Sequence, residues 1–245
     1  MQATGDGVSA RGPQPVSTVS PCAAQQQIVV FDFDGTLIDT SSPVKLITRL
    51  NRDKIMSKRA VLKSLAWGIR YKMGRELDQT VPRRYVFASF KDFPASEADS
   101  IMRDVYRTEL RQHLRPKAVA ALKRHQAEGK VVIIVSASFE PIISELCLDL
   151  GVEHYLCTQM EVVDGSYTGE TKSPPPESEH KLYQFVAWAD ASYGPDGWEL
   201  THAYGDHYSD VPLMEIAQHP IAVDPDHRLR SIAHERHWEV HDWLS

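Results

Sequence analysis

Four short runs of β-branched and aliphatic residues punctuate the chain, and each stops at a polar or glycine-containing step. Ile28-Val29-Val30-Phe31 runs into Asp32, and Val131-Val132-Ile133-Ile134-Val135 runs into Ser136. Leu200 to Tyr204 runs into Gly205-Asp206, and Ile221-Ala222-Val223 into Asp224. Continuous apolar runs of this length predict strands buried on both faces, as in a parallel sheet whose crossovers are helices. Between the first two runs, residues 42–113 carry helical spacing and almost no strand character. That stretch is far too long for a simple crossover and predicts an inserted helical domain. Within it Leu62, Leu65, Ala66, Ile69 and Met73 form one apolar stripe, with Lys63, Arg70 and Lys72 off it.

After the second strand, Glu140 to Leu150 predicts a helix stopped by Gly151, and Glu161 to Thr168 a hairpin around the Asp164-Gly165 turn. A Ser173-Pro174-Pro175-Pro176 loop follows. A helix over about Glu179 to Asp190 then carries Lys181 in its first turn, and Gly194-Pro195-Asp196-Gly197 closes that unit. The pattern predicts an α/β fold: a Rossmann-like parallel sheet core from residues 27–41 plus 114–245, with an α-helical cap inserted at 42–113. Residues 1–26, rich in Ser, Gly, Pro, Gln and Ala, read as a disordered tail with no apolar segment of a secretory signal.

Composition narrows this picture modestly. A chain of 245 residues with 42% hydrophobic and 24% charged residues suits one globular core with an elaboration. The formal charge of -6 argues against a general nucleic-acid binder. Three cysteines, Cys22, Cys147 and Cys157, form no CxxC pair and suit a reducing cytoplasm. No apolar run reaches the roughly 18 residues of a membrane-spanning helix.

Chemistry is expected where the strands end, because open α/β sheets bind ligands outside their carboxyl edges. In Asp32-Phe33-Asp34-Gly35-Thr36-Leu37, alternate residues point to one side, so two carboxylates can face one site. Their mutual repulsion is relieved by a divalent cation, and hard oxygen ligands of this kind suit Mg2+. Gly35 permits the sharp departure from the strand.

The DFDGTL segment after an apolar strand resembles the first motif of the haloacid dehalogenase-like superfamily, and three further motifs follow in order. Ser136-Ala137-Ser138 is similar to the second, Lys181 to the third, and Gly205-Asp206-His207-Tyr208-Ser209-Asp210 to the fourth. Thr168-Gly169-Glu170 and the ending Ala222 to Arg230 resemble the phosphoserine-phosphatase-like branch, which places a helical cap between its first two motifs. The resemblance implies a phosphomonoester hydrolase in which Asp32 is the nucleophile, forming an aspartyl-phosphate, and Asp34 the general acid/base. A dehalogenase lacks the second aspartate, since halide leaves without a proton. Ser136 and the backbone at Ala137 would bind the phosphoryl group with Lys181; Asp32, the Asp34 carbonyl and Asp206 would hold Mg2+, with Asp210 one shell out.

Some residues leave alternatives open. Lys172 competes with Lys181 for the third motif, though helix placement favours Lys181. His207 stands where the family has a small residue, and Ser209 where phosphoserine phosphatases have asparagine, which puts that substrate in doubt. His234, His237 and His241 could share a helix face as metal ligands, but a polar face beside packed Trp238 and Trp243 is the favoured reading. The cap is basic: Lys45, Arg49, Arg52, Lys54, Lys58, Arg59, Lys63, Arg70, Lys72 and Arg75 outnumber Asp53, Glu76 and Asp78. A solvated outer face explains this most simply; a second anionic group on the substrate, or contact with a membrane surface, are the functional readings. The favoured substrate is a small soluble metabolite phosphate. The alternatives are a lipid phosphate, phosphotransfer from the same aspartyl-phosphate, and a non-catalytic phosphate-ligand binder.

Overall fold

The computed structural model describes residues 25–55, 86–87 and 89–243. The apolar stripe from Leu62 to Met73, Cys22, and the basic residues from Lys58 to Arg75 lie outside these residues.

A single parallel sheet forms the core. Its strands are β1 (Gln26–Phe31), β2 (Val131–Phe139), β3 (His154–Thr158), β6 (Trp198–Gly205), β7 (His219–Val223) and β8 (Glu239–His241), in the order β3-β2-β1-β6-β7-β8. The order reverses at β1, which pairs in parallel with β2 on one side and β6 on the other. That reversal leaves a crevice at the carboxyl end of β1, where Asp32 lies. β4 (Met160–Val163) and β5 (Ser166–Thr171) form a separate antiparallel hairpin. Its turn residues Asp164 and Gly165 both have positive φ, as a two-residue hairpin turn requires.

Strand periodicity divides the core between the two faces. Val29, Phe31, Val132 and Ile134 pack on one side against Ala118, Leu122, Ile142 and Leu146. These come from the helices α3 (Pro116–Ala127) and α4 (Glu140–Leu150). Ile28, Val30, Ile133 and Val135 pack on the other side, against Phe185 and Ala189 of α5 (Glu179–Tyr193) and Leu213 of α6 (Val211–Met214). Leu229 and Ala233 of α7 (His227–Glu235) complete that layer. Each of these strand side chains is at most 5% exposed, so a polar substitution on either face would strand an unpaired group. Gly151 ends α4 in the left-handed conformation, as expected from its position.

The described part of the 42–113 stretch is mainly helical. α1 (Ser42–Arg52) is followed, beyond the undescribed residues, by α2 (Ala95–Val105), which runs on through a π turn, Tyr106–Leu110, and a 3-10 turn, Arg111–His113. The two ends of this stretch are brought together below β1, where Asp39 N donates to His113 O at 3.1 Å and Arg115 N to Leu37 O at 2.9 Å. The β4–β5 hairpin also leans on it, since Tyr167 N donates to Phe93 O and Asp92 N to Tyr167 O.

Several element bounds differ from the sequence pattern. β1 begins at Gln26, inside the expected tail, because parallel pairing with Trp198 and Glu199 recruits polar Gln26 and Gln27 that hydropathy does not mark. β2 continues past Val135 to Phe139, with an irregular register between the two. The C-terminal histidines share no helix face: α7 stops at Glu235, His237 has a φ of 57°, and His241 lies on β8. Trp238 and Trp243 pack against opposite layers of the core, so the packing reading of this segment holds.

On the α3 face of the sheet, His125 Nε2 and the Tyr204 hydroxyl lie 2.9 Å apart, and the His202 ring sits 4.4 Å from that of His125. Burial, and then the neighbouring His125, push the His202 imidazole down to about 4. The folded protein thus holds His202 neutral, whereas the unfolded chain binds a proton near pH 6.5. The resulting stability is present above pH 6.5 and is lost as pH falls toward about 4. His202→Leu is therefore expected to flatten the fall in urea midpoint between those pH values; an unchanged slope would refute the assignment.

Candidate active site

Asp32 is the first residue beyond β1, and its N–H continues the ladder by donating to Tyr204 O at 3.0 Å. Its carboxylate Oδ1 accepts from Lys181 Nζ at 2.8 Å, and the same ammonium donates to Asp210 Oδ1 at 2.6 Å. Lys181 reaches them from the first turn of α5, across the strand-end crevice, with only 3% of its surface exposed. Lys172 is not at this site; it lines a separate cavity beside the hairpin.

Oxygens of Asp32, Asp206 and Asp210 lie within 4.8 Å of one another. Two of these three carboxylates pair with the Lys181 ammonium, and Asp206 lies beside them. Burial pushes the Asp32 carboxyl up to about 7; Lys181 pulls against it and Asp210 adds to it. Burial, followed by the charges of Asp32 and Asp210, holds Asp206 well above the usual carboxylate range. Burial alone would lower Lys181, but Asp210 and Asp32 outweigh it and its pKa is raised. Excess negative charge on hard oxygen donors is the condition a divalent cation relieves, so these residues fit a magnesium ion.

Two glycines make the close approach possible. Gly35 has a φ of 77°, and a side chain there would overlap the Asp206 carboxylate; one at Gly205 would overlap that of Asp210. Thr36 Oγ1 donates to Asp206 Oδ1 at 3.2 Å. His207 closes the loop between Asp206 and Asp210: its N–H donates to Asp210 Oδ2 at 3.3 Å, and its Nδ1 accepts from Ser209 N at 3.3 Å. Its Nε2 lies 3.2 Å from Asp226 Oδ2. The residue at which this chain departs from the resembled motif is therefore built into the loop that positions two of the carboxylates.

Asp34 is held apart from that cluster. Its Oδ1 accepts from Ser42 N at 2.5 Å and its Oδ2 from Ser42 Oγ at 2.8 Å, at the start of α1. Ser42 Oγ also lies 2.7 Å from Ser138 Oγ, and Ser138 N donates to Ser136 Oγ at 3.1 Å. Asp34, Ser42, Ser138 and Ser136 thus form one chain of contacts from β1 to β2. Ala137 is fixed within it, since its carbonyl accepts from Thr158 Oγ1 at 2.8 Å. Ser42 was not among the residues expected at the site, and Ser138 was read only as part of the second motif, without a role. Thr40-Ser41-Ser42-Pro43 is a legible helix start, but a start signal does not say which side chain the helix end will face.

Asp224, also at a strand end, has a different task. Arg115 forms a close ion pair with it and Trp243 N donates to it at 3.2 Å, which ties the C-terminal segment to the sheet. Part of the basic excess in residues 42–113 is balanced locally, since Arg49 pairs with Asp53 and Arg52 with Glu109. Among the described residues no helix is long and apolar enough to cross a membrane.

Relatives match this chain over most of their length. A Mycobacterium tuberculosis (strain ATCC 25618 / H37Rv) protein named "Probable phosphatase Rv3661" is 31% identical over 232 residues, covering 93% of this chain and 78% of that protein. A histidinol-phosphatase of Neisseria meningitidis serogroup C is 26% identical over 88% of this chain and 98% of its own. A crystal structure of a protein of unknown function from Bordetella pertussis Tohama I superposes with a TM-score of 0.76 at 26% identity, covering 90% of this chain and all of that one. The family model for haloacid dehalogenase-like hydrolase matches residues 29–215. That match runs from within β1 to the residue after α6 and takes in Asp32, Lys181 and the Asp206–Asp210 loop, so the chain belongs to the haloacid dehalogenase-like hydrolases.

Proposed function

We propose that this protein is a magnesium-dependent phosphomonoester hydrolase working through an aspartyl-phosphate on Asp32. The observation that carries the reading is the Asp32–Lys181–Asp210 arrangement with Asp206 beside it: a nucleophile and a fixed cation in one crevice. Asp32 and Asp206, with the Asp34 carbonyl, would hold the magnesium ion, whose charge offsets that of the carboxylates and of the phosphoryl group. Lys181 steadies the Asp32 carboxylate and offers its charge to the phosphoryl oxygens. Ser136 Oγ and the backbone at Ala137 bind the same oxygens from β2.

Asp32 attacks phosphorus as the ester P–O bond breaks, and Asp34 delivers a proton to the departing alcohol oxygen. In the second step Asp34 takes a proton from the water that attacks the aspartyl-phosphate, which releases phosphate and restores both carboxyl groups. The two contacts from Ser42 hold the Asp34 carboxyl in place for both transfers. Residues 42–113 would act as a cap that closes over the strand ends and excludes water. The favoured substrate is the phosphate ester of a small soluble metabolite, a reading supported by the relative named histidinol-phosphatase and by another, of Mycobacterium tuberculosis, named phosphoserine phosphatase. The buried, free Cys147 and Cys157 support a reducing compartment, the cytoplasm.

Removal of divalent cations tests the proposal. Chelation is expected to stop release of phosphate from p-nitrophenyl phosphate, and added magnesium to restore it. Turnover indifferent to the chelator would refute the metal requirement, and no turnover in the presence of magnesium would refute the hydrolase reading.

A further inference from the structure

The loop that carries Asp206 and Asp210 is gripped at three successive residues by the start of α7. Asp226, the residue before that helix, donates its N–H to Asp206 O at 2.9 Å. Its carboxylate Oδ2 lies 3.2 Å from His207 Nε2, and the Arg228 guanidinium lies 3.9 Å over the Tyr208 ring. α7 is itself fixed to the sheet, since Leu229 and Ala233 are fully buried in the core. Asp226 Oδ1 caps the helix by accepting from Leu229 N at 2.7 Å.

The tie through His207 has a direction that its neighbours set. The Ser209 N–H, at 3.3 Å, faces Nδ1 and can only donate, and the Ser209 hydroxyl lies 2.9 Å from the same nitrogen. Nδ1 is therefore the accepting nitrogen, and the ring proton sits on Nε2, where Asp226 Oδ2 receives it. One oxygen of Asp226 thus holds α7 and the other holds the loop. The N–H of His207 donates to Asp210 Oδ2 at 3.3 Å, so the ring and backbone of one residue connect α7 to a carboxylate of the site. A small residue, such as the resembled motif has at this position, would keep the backbone contacts and lose those of the ring.

We propose that His207 is a positioning residue for magnesium: through Nε2 and Asp226 it anchors the Asp206–Asp210 loop to α7, and that anchor sets how tightly the carboxylates take the ion. The inference rests on the magnesium-dependent hydrolase reading and adds to it a residue outside the ligand set. Magnesium demands near-ideal octahedral geometry, so it is exacting about where its few carboxylates sit. Groups that orient metal ligands from behind contribute about 10- to 100-fold in affinity.

Magnesium alone is the probe, and the readout is the rise in melting temperature as magnesium chloride is added to protein stripped by chelator. His207→Asn keeps an acceptor where Nδ1 stood and cannot reach Asp226, whereas His207→Gln places an amide N–H near the position of Nε2. The first variant is expected to need about tenfold more magnesium for the same rise, and the second to recover part of that difference. Asp226→Asn keeps an oxygen for Leu229 N and is expected to weaken magnesium as His207→Asn does. Combining the two is expected to cost no more than either alone, because they break one contact; additive losses would overturn the route through Asp226. An unchanged magnesium response in His207→Asn would overturn the proposal. So would a melting temperature lowered equally with and without the metal, the result of a residue whose role is structural only. A parent protein that shows no magnesium response would overturn the metal requirement together with this inference. Release of phosphate from p-nitrophenyl phosphate, measured in parallel, reports on the hydrolase reading alone.

Discussion

Asp32→Asn is expected to lower kcat by about 10⁴-fold or more, because the amide keeps the shape of the side chain and loses the nucleophile. The amide oxygen can still accept from Lys181, which now donates to Asp32 at 2.8 Å and to Asp210 at 2.6 Å. One negative charge leaves a cluster that holds three carboxylates within 4.8 Å, so folding is not expected to suffer. The paired measurement is phosphate release together with a thermal melt. Loss of activity with an intact melt supports the assignment, and substantial residual turnover in protein shown free of deamidated product removes it.

Lys181→Met is expected to cost stability as well as activity. The ammonium is buried between two carboxylates, and its removal leaves them uncompensated in surroundings that solvate charge poorly. Breaking a buried pair from one side costs about 3–5 kcal/mol. The loss is expected to be largest in chelator and to shrink with magnesium, since a ligand that binds only the folded state raises its apparent stability. Urea unfolding with and without the metal reads both effects. A variant as stable as the parent in chelator would mean that Lys181 contributes no net stability there.

These two outcomes follow from residues that stand far apart in sequence. Asp32 and Asp206 were legible because each follows an apolar run, and a buried parallel strand delivers the next residue to the ligand-binding edge of the sheet. Lys181 was legible from its place in the first turn of a helix, and the alternative, Lys172, proved to sit at the neighbouring cavity. The same strand-end logic marked Asp224 as a place for chemistry, yet Arg115 and the backbone of Trp243 occupy it. Hydropathy shows where a strand stops and does not show which side chain will arrive opposite its end.

His207 shows the same limit from the other side. As a departure from the resembled motif it carried no readable role; its contacts with Ser209 and Asp210 lie within the loop, but the one with Asp226 emerges only once α7 is docked against it. Ser42 belongs here too, since only the return of the chain from β1 into α1 brings its backbone and hydroxyl to Asp34.

The α/β class, the strands of the central crevice, the Asp164-Gly165 hairpin and the paired aspartates after β1 were determined by the sequence itself. Periodicity, turn chemistry and strand ends are local properties, set by residues within a few positions of one another. The gathering of Asp32, Asp206 and Asp210 beside Lys181, the hold of Ser42 on Asp34 and the neutral His202 were decided by tertiary structure. Each depends on distances between segments that no local pattern encodes, and on burial, which turns a nearby charge into a strong one.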